Sequence, residues 1–595
     1  MKTLLIDGHR IYNYIISGAN NLICSEQNLN KINVFPVADG DTGTNLALTM
    51  KTIVTKSKKD MNFHNSMLSI SRVAVENAYG NSGMIFAQYL NGFAIETKEK
   101  EKLTIEEFVE IAGKAANYAY EAVASPKEGT ILSIMKGWAL ELKTNSNILD
   151  FEKMFEKSIE KVKAMVDETK FKLKVLMEYN VVDAGAKGFL IFLEGILQFM
   201  KSGTTQLVYQ ETDLTLNEHT NIIMNNEVTN NRYCSQFFIE TKKSAAYFKD
   251  KLSEYGDSLV VTGSESHLHI HIHSDVPEKV MAFLLSEGMM LSQKIEDMKL
   301  MSDIIHRRKY SIGIVTDSIA DLPKSFTDAE QITIIPVNLI CDSVVYLDKL
   351  TMTPEIFYQN ANTYKMNPTS AQPSSTVIEK AYSTLLQHFD SVIGIFVSKE
   401  MSGTFDNAQR VAREFSQNGK KISIINSKLN SSAEGLLVMK AAELIGQGLS
   451  HEEVVEKLEM TREKIHIYVS VKDLSNMIKG GRISKSMGFL LQKIHLKPVV
   501  SIDKTGKGSI YKKTLSQKSA SSKILSKISR DMKKSGIEQY AIVYSNAMED
   551  IQNIQDKLVK LTGMQPSFVE PISPVVGLNA GMGAFAVSYL KGGQT

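Results

Sequence analysis

The stretch Asn33-Val34-Phe35-Pro36-Val37-Ala38-Asp39-Gly40-Asp41-Thr42-Gly43-Thr44-Asn45 ends where an apolar-periodic run begins, with Leu46, Met50, Ile53 and Val54 at helical spacing. That spacing predicts an amphipathic helix, so the loop is a helix entry. Three more polar loops repeat the arrangement. Gly80-Asn81-Ser82-Gly83 precedes a run from Met84 to Phe93. Lys127-Glu128-Gly129-Thr130 precedes Ile131, Ile134, Met135 and Trp138. Asp183-Ala184-Gly185-Ala186-Lys187-Gly188 precedes a fourth. A helix that starts after glycine and a short hydroxyl or amide residue exposes unpaired N–H groups at the positive end of its dipole. Several such starts together suit a polyphosphate. Asp39 and Asp41, on either side of a glycine, can turn their oxygens to one point, and hard oxygen ligands of this kind suit Mg2+ bridging to phosphates. The plainer alternative for each loop alone is a tight turn with an N-cap. The set of four favours a phosphate end.

Outward from this loop, residues 1–205 read as helical throughout. Residues 206–231, rich in Asn and Thr, read as a linker. Residues 232–308 read as a small α/β unit, with strands near 235–241 and 259–274 and a helix near 277–286. From 309 to 595, β-branched runs near 311–316, 332–340, 392–398, 422–426, 465–471 and 540–545 alternate with helical patterns, which predicts an α/β layered domain. The fold class is therefore multidomain: all-α, then a small α/β unit, then a larger α/β domain.

Composition bounds the function. At about 150 residues per domain, 595 residues make three or four folding units. Hydrophobic content of 43% and charged content of 23% exclude a largely disordered chain. Lys+Arg 68 against Asp+Glu 66 leaves a net charge of +2, which argues against nucleic acid as a partner. Cys24, Cys234 and Cys341 are odd in number and far apart, so no disulfide framework is expected and a cytoplasmic location is. Leu4-Leu5-Ile6 is too short for a signal peptide core, and no run approaches the roughly 20 apolar residues of a membrane span. The Lys-rich stretch from Lys504 to Lys534 reads as a solvated hairpin and helix face. Its alternative reading is a transient contact with an acidic partner or a membrane surface.

Two further patterns carry chemistry. His267-Leu268-His269-Ile270-His271-Ile272-His273 alternates strictly, which on a strand places four imidazoles on one face. With Cys234 these form a candidate metal site; the alternative is a half-exposed strand with solvated histidines. In the C-terminal half, Thr316-Asp317-Ser318, Ser370-Ala371-Gln372-Pro373-Ser374 and Ser402-Gly403-Thr404 are polar loops in an α/β pattern. Ligands in such sheets sit at the carboxyl ends of strands. Ser402 and neighbouring N–H groups suit a small anion such as a carboxylate, and Arg482 in Gly480-Gly481-Arg482 offers a bidentate guanidinium. Capping and turn chemistry is the alternative for each.

The loop at 33–45, with the Gly-Asn-Ser-Gly, Glu-Gly-Thr and Val-Val-Asp-Ala-Gly blocks in order, closely resembles the dihydroxyacetone-kinase-type nucleotide-binding domain. It is most similar to the version in bacterial fatty acid kinases. That resemblance implies an eight-helix antiparallel barrel that binds ATP at one end. It also implies Mg2+ on Asp39 and Asp41, with Asn33 as a third ligand. Thr42, Gly43, Thr44, Asn45, Asn81, Ser82 and Gly83 would lie at the phosphates, with Asp183 a candidate for the pocket. Tyr233-Cys234 and His271-Ile272-His273 resemble the middle domain of fatty acid kinases, implying Zn2+ on Cys234, His271 and His273 but not on His267 or His269. The 309–595 region resembles the DegV family of fatty-acid-binding proteins, which implies a long-chain fatty acid in a tunnel. Its carboxylate would be held by Ser370, Ser402, Gly403 and Arg482, with Asn579 standing where the family's histidine is expected. An amide there can hydrogen-bond but cannot titrate. Together these imply ATP-dependent phosphorylation of a fatty acid to an acyl phosphate, with kinase and carrier fused, in a homodimer. The alternatives are a nucleotide- and lipid-binding sensor without turnover, or a small-polyol kinase.

Overall fold

Eight helices of 14 to 19 residues, among the described residues, build the N-terminal region: α1 (Gly8–Cys24), α3 (Thr42–Lys56), α4 (Phe63–Glu76), α5 (Gly80–Glu96), α6 (Ile105–Ala122), α7 (Ile131–Thr144), α8 (Phe151–Glu168) and α10 (Ala184–Ser202). The shorter α2 (Glu26–Lys31) and α9 (Lys174–Tyr179) fill gaps. Helices α4 to α8 pack in sequence order, and α10 closes the ring against α8 and α1. Their apolar stripes meet in one core, where Phe86, Phe189, Phe151 and Phe155 are fully buried and Phe108, Trp138 and Phe155 make edge and tilted ring contacts. A capping box at Thr104 and Glu107 starts α6.

The computed structural model describes all residues except 1, 36–39, 205–230, 264–265, 473, 483–495, 547 and 593–595. Asp39 and nearly all of the expected linker therefore lie outside the described residues. The chain divides into two compact units, Met1–Ser302 and Asp303–Thr595.

A small ladder of β1 (Ile6–Asp7) and β2 (Lys102–Leu103) belongs to the helical region. The first unit continues with an antiparallel sheet of β3 (Tyr233–Thr241), β4 (Asp257–Gly263), β5 (His267–Ser274) and β6 (Gly288–Asp297), in spatial order β4-β5-β3-β6. Helices α11 (Ala245–Leu252) and α12 (Pro277–Glu287) accompany it. The stretch 259–274, expected as one strand, is two. Gly263 turns the chain at φ +134, where a Cβ would lie 2.1 Å from the His267 carbonyl oxygen.

In the second unit a parallel sheet runs in the order Ile422–Asn426, Ser391–Phe396, Ile312–Asp317, Thr333–Ile335. A six-stranded mixed sheet and a three-stranded antiparallel one complete it. The stretch 332–340, expected as one strand, is split between two sheets as Thr333–Ile335 and Asn338–Cys341. Pro336 between them has no N–H to give a ladder. Among the described residues, no helix is long and apolar enough to cross a membrane.

Candidate functional site

The starts of α3, α5, α7 and α10 meet at one end of the helical region. Gly80, the first residue of α5, has φ +61 and lies against the Asn45 side chain of α3; a Cβ there would stand 2.4 Å from Nδ2. A Cβ on Gly185 would meet Ser82 Oγ at 3.2 Å and Ile131 Cβ at 3.3 Å, so α5, α7 and α10 converge on it. Asp183 joins them: its carboxylate accepts the Ala186 N–H at 2.7 Å and also the N–H groups of Gly185 and Ile131. Burial raises its pKa to about 6 against those three bonds. Asp183 is thus spent capping two helices. Four positive helix ends in one place form a strong anion site.

The Asp41 loop closes this end. Asp41 Oδ2 accepts from Asn45 Nδ2 at 2.7 Å. The Asp41 and Thr42 N–H groups both donate to Asn33 Oδ1, at 3.1 and 2.7 Å. Asn33, expected on the metal, has both lone pairs of that oxygen occupied and acts as the clasp of the loop. Thr44 and Gly43, expected at the phosphates, face α2 instead. Thr44 Oγ1 donates to Glu26 Oε1 and accepts from Asn30 Nδ2, both at 2.9 Å, and a Cβ on Gly43 would stand 2.1 Å from the Glu26 carbonyl oxygen. Gly83 likewise makes room for Thr49, whose hydroxyl would lie 2.6 Å from a Cβ. The amide oxygens of Asn45 and Asn81 are buried without a hydrogen-bond partner. Such groups are costly unless something pairs with them.

On the middle sheet, Cys234 pairs across from His273, and Gln236 from His271. The ligand atoms of Cys234, His271 and His273 all lie within 4.8 Å of one another, and Cys234 Sγ is 3.9 Å from His271 Nδ1. His269, His271 and His273 are 6%, 1% and 6% exposed, so the solvated-stripe reading does not apply. Burial holds His271 well below the usual imidazole pKa and His273 at about 4, which keeps both neutral as a metal requires. His267 and His269 pack on Phe238 instead. One thiolate and two neutral imidazoles suit Zn2+ and leave a fourth position for water.

In the second unit a cavity of about 400 Å³ opens at the carboxyl ends of the parallel strands. It lies where the connections diverge from Ile312–Asp317 and Ser391–Phe396, the usual place for a ligand in such a sheet. Asp317 anchors the two loops there: its oxygens accept the Ile319 N–H at 2.9 Å and the Val397 N–H at 3.1 Å. Ile319, Val397, Ile467, Val500, Ile502 and Val575 make an apolar wall. Ser370, Ser402, Gly403, Arg482 and Asn579 are in the lining. Gly403 admits the Gln372 amide, whose Oε1 would lie 2.2 Å from a Cβ. Ser402 Oγ lies 2.9 Å from Thr404 Oγ1. Asn579 donates to the Val575 carbonyl at 3.3 Å, while its Oδ1 lies against Gly480, buried and without a partner. Lys399, Asn430 and Ser431 also line the cavity and escaped the sequence reading. Asn430-Ser431-Ser432 follows the strand Ile422–Asn426 and starts a helix, the same signal that singled out Ser402.

Three family models match in order: the DAK2 domain over 36–198, the FakA-like middle domain of fatty acid kinases over 230–304, and the uncharacterised DegV family over 311–592. The chain is thus a fusion of a DAK2 domain, a FakA-like middle domain and a DegV domain. Among individual proteins, it is similar to Protein YloV of Bacillus subtilis, 31% identical over 357 residues, which is 55% of this chain and 64% of that one. It is also similar to an uncharacterized protein of Staphylococcus aureus strain USA300, 30% identical over 306 residues, 49% of this chain and 56% of that one. The aligned region thus spans less than two thirds of either relative. The structure of DegV, a fatty acid binding protein from Bacillus subtilis, matches at 26% identity and a TM-score of 0.44, covering 48% of this chain and 100% of that one. A fatty-acid-binding DegV family protein from Thermus thermophilus matches at 24% identity and the same TM-score, covering 47% and 99%.

Proposed function

We propose that this chain transfers the γ-phosphoryl group of ATP to the carboxylate of a long-chain fatty acid held in its C-terminal cavity. The single observation that carries the reading is the convergence of four helix N-termini on the Asp41 loop, within a chain that also holds an apolar-walled cavity with a polar, guanidinium-bearing rim. The DAK2 and fatty acid kinase-like middle domains support a phosphotransferase, and the DegV domain supports an acyl ligand.

A fatty acid carboxylate is ionised at neutral pH and needs no general base. One of its oxygens bonds to the γ-phosphorus while the bond to the β,γ-bridging oxygen breaks, giving acyl phosphate and ADP. Thr42, Asn81 and Ser82, with the N–H groups of the four helix starts, would bind and orient the phosphates. Asp41 and Asp39 would hold Mg2+, which spreads the developing charge. Arg482, Ser370 and Ser402 would grip the carboxylate. Cys234, His271 and His273 would hold Zn2+ as a brace of the middle sheet.

The test is purified full-length chain incubated with labelled ATP, Mg2+ and oleate, with hydroxylamine to trap acyl phosphate. Acyl hydroxamate is expected, and Asp41→Ala abolishes it while co-purifying lipid persists. Bound lipid with no hydroxamate from the wild type would instead establish the sensor, the reading that the non-titrating Asn579 favours.

A further inference from the structure

Lys294 lies on β6, the edge strand of the middle sheet, opposite Gln236 and in the same cross-strand row as His271. Its side chain is three-quarters buried, with 26% exposed. Its ammonium stands 4.7 Å from the centre of the Tyr79 ring and 3.0 Å from Glu296 Oε2. Tyr79 is the N-cap residue of α5, immediately before Gly80. Gly80 lies against Asn45, and Asn45 donates to Asp41. A continuous run of contacts therefore leads from a cation of the middle sheet, through Tyr79, Gly80 and Asn45, to the carboxylate at the phosphate end.

The placement is built rather than incidental. β4 is fixed to the helical region where the Gly263 N–H meets Gln88 Oε1 and Asn91 Nδ2 meets the Gly263 carbonyl, each at 3.4 Å. The Ala124 N–H donates to the Leu259 carbonyl at 3.0 Å, and Val123 bridges to Val260. These contacts turn the histidine-bearing face of the sheet, and Lys294 with it, toward α5. A lysine held this far from water bears a desolvation cost that the Glu296 carboxylate and the Tyr79 π face offset in part. The other titratable neighbours, His269 and His271, are kept neutral by burial and by Lys294 itself. A four-carbon stem with three rotatable donors lets an ammonium leave an aromatic face for a phosphate with small movement.

We propose that Lys294 is a phosphate-binding residue of the nucleotide site, supplied to the helical domain by the middle domain. This rests on the ATP reading above. It gives the middle domain a part in phosphate recognition: β3, the partner strand of β6, carries Cys234, so the metal cluster and the phosphate-binding cation share one sheet.

The test is calorimetric binding of ATP, ADP and adenosine, with Mg2+, to the full chain and to Lys294→Met, Lys294→Gln and Lys294→Arg. Both neutral variants are expected to weaken ATP by about tenfold, ADP by less and adenosine not at all, and Arg to recover part of the loss. Thermal melts and bound zinc of the variants are compared alongside. Wild-type ATP affinity in Lys294→Met would overturn this inference and leave the kinase reading intact. An equal loss for adenosine, or a loss only in variants that melt early, would overturn it in favour of a purely structural lysine. A wild-type chain that binds none of the three nucleotides would remove the ATP reading itself.

Discussion

Asp531 shows how a single side chain steadies the second unit. Its Oδ2 accepts from the Tyr589 hydroxyl at 2.6 Å, and Lys527 and Lys591 lie 2.6 and 3.1 Å from its oxygens. Burial raises its pKa, but these three bonds outweigh it and hold the group at about 2, below the ordinary 3.8. A lowered folded pKa stabilises above the unfolded value and loses that stability as pH falls through the folded one. We expect about 2 kcal/mol from this group at pH 7, lost between about pH 4 and pH 2. Denaturant melts of wild type and Asp531→Asn across that range check it: the two curves should approach each other as pH falls. At the cavity, Arg482→Met should lower fatty acid affinity by about tenfold without changing the melting temperature of the ligand-free chain, read by displacement of a fluorescent fatty acid. At the middle sheet, Cys234→Ser should lower bound zinc from about one per chain toward zero, measured by elemental analysis. Metal content equal to wild type would remove Cys234 from the site.

Among elements, the helix starts carry the most demanding backbone. Gly80 combines φ +61 with Asn45 packed where a Cβ would be. Gly80→Ala should therefore cost about 1–3 kcal/mol and loosen ATP binding together with the fold, measured by thermal melts and calorimetry on the same sample. Ala at Gly113 meets nothing within 4 Å and should be neutral or slightly stabilising, which makes it the control. The four helix entries were readable because glycine, short polar residues and apolar periodicity lie within one local window. What each loop residue faces was not. Asn33 clasping the loop, Thr44 turned to Glu26 and Asp183 capping α7 and α10 all depend on which helix lies alongside, and no spacing in the chain encodes that. The same limit hid the break between β4 and β5, where an apolar-alternating run continues straight through a turn.

For the whole molecule, the division into two units predicts how a ligand acts on stability. A lipid bound only to the second unit should raise the melting transition of Asp303–Thr595 and leave that of Met1–Ser302 in place. Calorimetric scans with and without oleate check this, and a shift of both transitions by the same amount would contradict it. The sequence alone determined the order and class of the domains, the four polar helix entries, the imidazole stripe beside a cysteine, and the serine loops and arginine of the C-terminal half, because each is written in local spacing and residue type. Tertiary structure alone decided that four separate entries form one anion site, that two of four histidines stand next to Cys234, that Asn430 and Lys399 join the cavity wall, and that Lys294 reaches Tyr79. These are pairings across tens to hundreds of residues, set by strand register and helix packing, and close packing rather than chain order selects among them.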